Sequence, residues 1–241
     1  DCQDREELNA ELKKVQLPVV KILITGGGKV AYGALEVLSD LQIREVQVLE
    51  FLSQEFDEPV FCRITFSEYF LRGDGKPFDN QYYFDNPSEH VSDFMRFAEV
   101  ADMFIVGHYW DSKAPFLFTR DDARDARFNI NLIADISCDI DGPVASTIRP
   151  STIEDPYYGY DPVSEKETTY NAKGAITVMA VDNLPCEMPR DASKDFGEMF
   201  ISGVLPALSN NDCEGILSRA SITKNGEITD HYAYLREWVA D

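Results

Sequence analysis

The sequence predicts an α/β fold: a doubly wound parallel sheet with a C-terminal helical extension that belongs to a second domain. Short apolar runs of strand length alternate with helical patterns along residues 19–187, an arrangement typical of parallel sheets. The first run ends in a glycine-rich turn that opens a helix. A long helix is predicted from Arg190 to Leu208, with one apolar face made of Phe196, Met199, Phe200 and Val204.

The glycine-rich turn lies within Lys21–Gly33. An apolar run, Val19–Ile24, stops at three glycines, and apolar residues at helical spacing follow, which indicates a buried parallel strand, a tight turn and a helix. Gly26, Gly28 and Ala31 fill the G-x-G-x-x-G/A pattern of dinucleotide-binding (Rossmann) folds, in which the helix N-terminus binds the pyrophosphate. The alternative is a turn with a purely structural role.

An acidic residue ends the next predicted strand, Val46–Glu50. Glu50 follows the glycine turn by roughly 20 residues, the spacing at which an acid accepts hydrogen bonds from the adenine ribose. No Arg or Lys in Phe51–Gln54 is placed to bind a 2′-phosphate, so this segment favours NAD, with NADP as the alternative. Glu50 as a solvated strand-end residue is the competing interpretation.

Composition excludes several classes of protein. The 241 residues carry a formal charge of −21, which argues against binding to nucleic acid or to an anionic membrane. No apolar run is long enough to span a bilayer, and no signal-peptide pattern is present. The five cysteines show no C-x-x-C spacing and indicate reduced thiols in the cytoplasm, without a disulfide framework or a zinc site. The three histidines are scattered, so no metal site is predicted.

Further elements follow from local patterns. Asp57–Asn86 is predicted to be a long, irregular, aromatic-rich connection, and Asn86-Pro-Ser-Glu89 to start a helix that carries Val91, Phe94, Met95 and Ala98. The other predicted elements are an N-terminal helix at Asp4–Lys14, a helix from Thr119, a turn in Ser221–Thr229, a short last helix, and strands at Met103–Val106, Asn131–Ala134 and Ala175–Val181.

Ligands of doubly wound sheets bind at the carboxyl ends of the strands, which singles out Gly107–Trp110, Asp135–Pro143 and Asp182–Pro185. Asp135, Asp139 and Asp141 crowd one of these loops. They are either turn-forming residues, or one carboxylate faces the nicotinamide and the substrate while the others hold the loop.

Two further side chains are candidates with open alternatives. His108 is either a proton donor or, as we favour, a ring packed near the cofactor. Arg149 either clamps a substrate carboxylate or pairs with one of the many local acids.

Several ordered motifs resemble saccharopine dehydrogenase of the lysine-forming type and the lysine-ketoglutarate reductase part of the bifunctional lysine-degrading enzyme. More distantly, they resemble alanine dehydrogenase and the nucleotide-binding part of proton-translocating transhydrogenase. The motifs are Thr25–Ala34, Tyr109–Trp110, Leu117–Ala123, Ala134–Asp139, Thr152–Pro156, Val181–Pro185, Pro189–Ser193 and Ala220–Asp230.

The resemblance implies a cofactor site and assigns its parts. Asp139 occupies the position of the catalytic aspartate of alanine dehydrogenase. The cofactor-binding residues are Gly26, Gly28, Lys29 and Val30 at the pyrophosphate, Gly107 and His108 beside the adenosine, and Asp135, Ile136, Ser137, Asp182, Asn183 and Leu184 near the nicotinamide.

The resemblance also implies two domains with a catalytic cleft between them. Residues 1–18 would be the tail of a preceding domain, 19–187 the NAD(P)-binding domain, and 188–241 a segment returning to the substrate domain. The family's catalytic lysine and histidine have no counterpart here and are expected in a preceding domain, supplied in cis or in trans; otherwise the chain cannot catalyse.

The expected function is therefore the cofactor-binding part of an NAD(P)-dependent oxidoreductase that converts saccharopine, NAD and water to lysine, 2-oxoglutarate and NADH. The alternatives are an alanine-dehydrogenase-like enzyme and a non-catalytic nucleotide-binding or subunit module. The expected partner is a small-molecule amino-acid substrate.

Overall fold

The computed structural model describes residues 2–239, which divide into two compact units. The larger unit is Glu6–Glu187. The smaller unit joins the first residues, up to Arg5, with the chain from Met188 onward.

An eight-stranded sheet organises the larger unit. In spatial order its strands are β2 (Arg44–Glu45), β3 (Val60–Ile64), β1 (Lys21–Thr25), β6 (Met103–Val106), β7 (Leu132–Asp135), β10 (Ile176–Met179), β8 (Tyr157–Asp161) and β9 (Lys166–Thr168). The first six strands are parallel, and β8 and β9 join one edge as an antiparallel hairpin. The predicted α/β class is confirmed; the hairpin was not predicted.

The order of the strands places a switch point between β1 and β6. After β1 the chain builds β2 and β3 on one side, then crosses to β6 and β7 on the other. The loops that follow β1 and β6 therefore diverge at the carboxyl edge of the sheet. In open α/β sheets this is where ligands bind.

Apolar side chains cover both faces of the sheet. On one face Leu23, Cys62 and Phe104 belong to the main core. On the other, Ile22 and Ile24 pack with the helix α2, Lys29–Asp40, through its buried residues Ala31 and Leu38. Burial on both faces explains why the first strand is an uninterrupted apolar run.

The remaining elements of the larger unit are short. They are α1 (Arg5–Leu12), α3 (Val48–Ser53), α4 (Phe66–Tyr69), the antiparallel pair β4 (Phe70–Arg72) and β5 (His90–Ser92), α5 (Asn80–Asp85), α6 (Met95–Ala98), α7 (Arg120–Arg124), and 3₁₀ turns at Pro87–Glu89 and Leu184–Glu187.

The prediction of a second strand at Val46–Glu50 is wrong. Only Arg44 and Glu45 pair with β3, and α3 begins two residues after Val46. A capping box stops the strand: the Gln47 N–H donates to the Glu50 carboxylate at 3.0 Å, which fixes the first turn of a helix. Glu50 thus stabilises a helix start and does not end a strand.

The prediction of an irregular connection at Asp57–Asn86 is also wrong, because this segment contains β3, the direct neighbour of β1. The predicted helix from Asn86 reduces to one 3₁₀ turn. His90–Ser92 then pairs with Phe70–Arg72 as a strand before α6 begins. Cross-strand pairing has overridden a local helix-start signal.

The smaller unit is mainly helical. The predicted helix at Arg190–Leu208 is present as α8 (Pro189–Met199), a π-helical segment (Phe200–Val204) and α9 (Leu205–Ser209). They are followed by α10 (Ile216–Ala220), the hairpin strands β11 (Thr223–Lys224) and β12 (Glu227–Ile228), and a 3₁₀ segment at Asp230–Val239. Within residues 2–239, no helix combines the length and the apolar character that crossing a membrane requires.

Replacing Gly26 with alanine is expected to lower the free energy of unfolding by about 2–4 kcal/mol. Gly26 has φ +114°, and a Cβ there would lie 2.4 Å from the carbonyl oxygen of Gly107. The control is Gly33→Ala in α2, where a Cβ meets nothing within 4 Å and alanine favours the helix. Urea unfolding measures both; equal stabilities would contradict the close approach.

Candidate nucleotide site

The glycine turn joins β1 to α2 at the switch point. Gly26 donates its N–H to Ile64 at 2.9 Å, and Gly107 donates to Thr25 at 3.1 Å, so the ends of three adjacent strands are tied together. A Cβ on Gly28 would meet nothing within 4 Å. The protein itself therefore does not require a glycine at position 28, whereas a closely approaching ligand would.

The first turn of α2 has no side-chain cap. Gly28 is its N-cap residue, in extended conformation, and makes no capping hydrogen bond. Because the first N–H groups of a helix lack intrahelical partners and carry partial positive charge, this end is suited to an anion.

A cavity of about 540 Å³ opens at this turn, which we call the glycine-turn cavity. It brings together the β1 turn, the end of β3, the aromatic segment beyond it, and the loop after β6. Its lining is Gly26, Gly27, Gly28, Lys29, Val30, Thr65, Phe66, Tyr69, Asn80, Phe84, Gly107, His108, Tyr109 and Ser137.

Two buried polar side chains line the glycine-turn cavity. His108 is 5% exposed, and its Nδ1 lies 2.8 Å from the hydroxyl of Thr25. Tyr69 is fully buried, and its ring stands edge-on to that of His108 with centroids 5.8 Å apart. Burial lowers the pKa of His108 to about 4 because the charged imidazolium loses hydration. His108 is thus a buried, neutral ring at neutral pH, and its packing near a cofactor stays a prediction.

A second cavity of about 380 Å³ lies at the ends of β7 and β10, and we call it the loop cavity. Its lining is Ile136, Ser137, Cys138, Val181, Asp182, Leu184 and Pro185. Ser137 lines both cavities, so they are neighbours on the carboxyl edge of the sheet.

Asp135 holds the loop that separates the two cavities. Its carboxylate is buried and accepts hydrogen bonds from the Thr147 hydroxyl at 2.6 Å, the Ser137 hydroxyl at 2.9 Å and the Cys138 N–H at 3.0 Å. Cys138 is held at φ +52° and donates its thiol hydrogen to Ala180 at 3.2 Å. Asp135 lines neither cavity and fixes the loop that presents Ile136 and Ser137.

Asp139 follows this anchored turn and is partly buried. Burial and the nearby charge of Asp135 raise the pKa of its carboxyl group. A raised pKa is the shift that a carboxyl group needs in order to exchange protons near working pH. Asp141 instead forms an ion pair with Arg120 at 3.0 Å.

Arg149 lies away from both cavities, in a groove of about 560 Å³ beside β8 and β9. Its guanidinium makes two hydrogen bonds of 2.7 Å to Glu167 and lies over the ring of Tyr158. The structure therefore contains the ion pair that was the alternative to substrate binding. Substrate binding by Arg149 stays a prediction.

The remaining predicted site residues include some that line one of the two cavities and some that line neither. Lys29, Val30, Gly107 and His108 meet in the glycine-turn cavity, and Asp182 and Leu184 meet in the loop cavity. Asn183 is exposed beside the latter, and Glu50 lines neither.

Sequence reasoning missed Thr65, Phe66 and Tyr69. The apolar run Val60-Phe61-Cys62, directly before Arg63-Ile64-Thr65, was the signal that could have located their strand.

Replacing His108 with glutamine is expected to flatten the dependence of stability on pH. The folded protein keeps His108 neutral to about pH 4, whereas an unfolded histidine gains its proton near 6.5. The wild type therefore loses about 3 kcal/mol from this residue as the pH falls from 6.5 to 4. The control is the exposed His231→Gln, and urea unfolding at several pH values measures the difference. Parallel curves for wild type and His108→Gln would contradict the assignment.

Comparison with known proteins gives relatives along nearly the whole chain, although no family model matches it. The chain is 26% identical over 264 residues to an alpha-aminoadipic semialdehyde synthase, mitochondrial, of Rattus norvegicus, covering 96% of this chain and 28% of that protein. The relative from Arabidopsis thaliana, alpha-aminoadipic semialdehyde synthase, is 24% identical, with 95% of this chain and 24% of that protein covered.

The chain thus spans about a quarter of the length of the relatives it matches. The rat protein is a mitochondrial one by name, so a cytoplasmic location stays a prediction for this chain. The resemblance predicted from the motifs is confirmed: this chain is similar to alpha-aminoadipic semialdehyde synthases.

Proposed function

We propose that the larger unit binds a nicotinamide dinucleotide across the glycine turn, as the cofactor-binding part of an oxidoreductase acting on the CH–NH bond of saccharopine or a similar opine-type amino acid. The observation that carries this proposal is the pair of neighbouring cavities on the carboxyl edge of the sheet, both lined by Ser137. One cavity suits each half of a dinucleotide.

The residues present fit such a cofactor. The uncapped N-terminus of α2 supports pyrophosphate binding, and the open space over Gly28 supports its close approach. In dinucleotide-binding folds, the ribose-binding residue follows the strand that lies beside the first strand. Here that strand is β3, and Thr65 comes directly after it, so we assign Thr65 to the adenosine half. The loop cavity then accommodates the nicotinamide half.

The cofactor supplies hydride transfer, and the chain supplies orientation. Asp135 fixes the Ser137–Cys138 turn beside the nicotinamide half. Asp139, whose carboxyl pKa is raised, is proposed to hold or release a proton at the reacting nitrogen.

The relatives support the oxidoreductase assignment at the level of a lysine-degradation enzyme. The proposal gives this chain the cofactor half and assigns the family's catalytic lysine and histidine to a further domain. In support, the smaller unit exposes large apolar side chains on neighbouring turns, namely Phe196, Met199 and Ile201, which suit packing against such a domain.

The preference for NAD was based on Glu50 as a residue that ends a strand, but Glu50 lies in the first turn of helix α3. At the end of β3 the Glu68 carboxylate is already engaged, accepting from the Thr65 N–H and hydroxyl at 2.7 Å each. The guanidinium of Arg63, two residues before Thr65, lies over the ring of Tyr32, and among the described residues it makes no hydrogen bond or ion pair. We infer that Arg63 binds a 2′-phosphate and that NADP is the preferred cofactor.

Titration of the chain with NADH and NADPH, followed by nicotinamide fluorescence, tests the proposal. Gly28→Ala is expected to weaken binding at least about tenfold, or about 1.4 kcal/mol, because its Cβ would meet the pyrophosphate while leaving the fold intact. Gly33→Ala, in the same helix and outside both cavities, is the control. Wild-type protein that binds neither dinucleotide would overturn the proposal.

Arg63→Gln is expected to weaken NADPH binding about tenfold while NADH binding stays within about twofold. Arg44→Gln is the control, because Arg44 is an exposed arginine already paired with Glu58 at 2.8 Å. An equal effect of Arg63→Gln on both dinucleotides would refute the specificity role.

The substrate is tested separately, by supplying the first domain of a full-length relative together with this chain. Turnover of saccharopine, or of lysine with 2-oxoglutarate, supports the proposed reaction. Turnover of alanine alone would favour the alanine-dehydrogenase-like alternative. Cofactor binding without any turnover would favour the non-catalytic module.

A further inference from the structure

A buried lysine lies at the opposite end of β1 from the glycine turn. Lys21 begins this strand at the amino edge of the sheet, whereas Thr25 ends it at the carboxyl edge. Lysine is almost never buried without a charged partner, yet Lys21 is only 9% exposed. Among the residues that the structure describes, its Nζ atom makes one hydrogen bond, to the Gln54 carbonyl at 3.2 Å, and no ion pair.

Two aromatic rings hold the amine of Lys21 in place. Its Nζ atom lies 5.0 Å from the centre of the Phe51 ring and 5.7 Å from that of Phe56. Such rings attract an ammonium through their faces, but they replace only part of the hydration that the ammonium loses on burial. Lysine has three N–H donors, and only one of them is in a hydrogen bond to the protein.

A cavity of about 270 Å³ lies beside Lys21, and we call it the amino-edge cavity. Its lining is Lys21, Glu55, Glu99, Val100, Asp102 and Asn129. Glu55 and Asn129 are exposed, so small solutes reach this cavity from solvent. The Nζ atom of Lys21 bonds to Gln54, the neighbour of Glu55 in the chain, and interacts with the charges of Glu55 and Asp102. The amine, and not only the stem of the side chain, is therefore close to this lining.

Two of the three carboxylates that line the amino-edge cavity are engaged with other groups. Asp102 accepts from the backbone N–H of Lys21 at 2.8 Å and from the Asn129 amide at 3.1 Å. Glu99 forms an ion pair with Arg127 at 2.8 Å. These carboxylates therefore stabilise the charged form of the lysine only in part.

Burial outweighs the nearby acids in setting the protonation of Lys21. Desolvation lowers the pKa of its amine, and the charges of Glu55 and Asp102 raise it by less. Arg44, whose guanidinium also lies over the Phe56 ring, adds a further positive charge. An exposed lysine is only about 0.1% neutral at about pH 7.4, and each unit by which the pKa falls raises that fraction about tenfold. Because only the neutral amine is a nucleophile, Lys21 is more reactive than an exposed lysine wherever a reagent reaches it.

We propose that Lys21 is a site of acylation by a small activated acyl compound, an acyl phosphate or an acyl thioester, that enters the amino-edge cavity. The neutral Nζ atom attacks the acyl carbonyl carbon and forms an N–C bond, while the bond from that carbon to the phosphate oxygen or the sulfur breaks. The leaving group departs with the electron pair of that bond, and the proton lost by the nitrogen passes to it or to water. The product is an uncharged amide, which is easier to bury than an ammonium.

Acetylation of the wild-type chain by acetyl phosphate and, in parallel, by acetyl-coenzyme A tests the proposal, with each modified lysine quantified by peptide mass spectrometry. At about pH 7.4, Lys21 is expected to react at least about threefold faster than Lys113 and Lys224, because more of its amine is neutral. These two lysines are exposed. Whichever donor gives this ratio identifies the source of the acyl group. Modification of Lys21 at an equal or lower rate with both donors overturns the proposal.

Glu55→Gln tests whether protonation controls the reaction. Removing this negative charge lowers the pKa of Lys21 further, so its acetylation is expected to become about twofold faster or more, while that of Lys113 stays unchanged. Glu154→Gln is the control, because Glu154 is exposed and lies outside the amino-edge cavity. A Lys21 rate that does not rise in folded Glu55→Gln protein refutes protonation as the cause of the reactivity.

The acylation proposal is independent of the proposed cofactor. The backbone of Lys21 is held by Asp102, which accepts from its N–H at 2.8 Å and donates to its carbonyl at 2.9 Å. Neither bond involves the side chain, so acetylation is expected to leave β1 and the glycine turn intact. A chain that binds neither NADH nor NADPH would still be acetylated at Lys21, so the two proposals fail separately.

Discussion

The close approach of two backbones, at Gly26 and Gly107, is the constraint on which the rest of the larger unit depends. A Cβ on Gly26 would lie 2.4 Å from the Gly107 carbonyl oxygen, and a Cβ on Gly107 would lie 3.0 Å from that of Thr25. Neither position tolerates a side chain without movement of backbone. This contact sets where β1 and β6 end and where α2 begins. It therefore also sets the position of the uncapped helix terminus and of His108.

The sequence predicted those parts of the fold whose signals are local. The β1 turn, β6 and β7 were found because each is an apolar run ended by glycine or a polar residue. The second strand was misplaced because Val46 and Val48 alternate like a strand, yet the Gln47–Glu50 capping box turns the chain into a helix. The apolar run Val60–Cys62 marks β3 locally, but that β3 is the neighbour of β1 depends on pairing between distant segments, which no local pattern gives.

In the candidate site, too, the residues with a local sequence signal could be predicted, and those placed by distant contacts could not. Gly28, Gly107, His108 and Ser137 could be predicted, since each follows a recognisable strand. Tyr69 could not, because it reaches the cavity through a packed aromatic segment whose path is set by tertiary contacts. Asp135 was predicted beside the cofactor, which stays a prediction; the three hydrogen bonds that its carboxylate accepts show that it also anchors the loop.

The charge of the chain explains why backbone groups dominate the proposed phosphate site. With 43 acidic and 22 basic residues, the long-range field of the protein repels an anionic dinucleotide, and it is screened beyond about 10 Å at moderate salt. Attraction for the dinucleotide phosphates must then come from groups that act at short range and that the acidic side chains of the protein do not neutralise. The N–H groups of α2 satisfy this requirement because they are fixed dipoles. The unpaired guanidinium of Arg63 satisfies it as well, since Tyr32 rather than a carboxylate covers it.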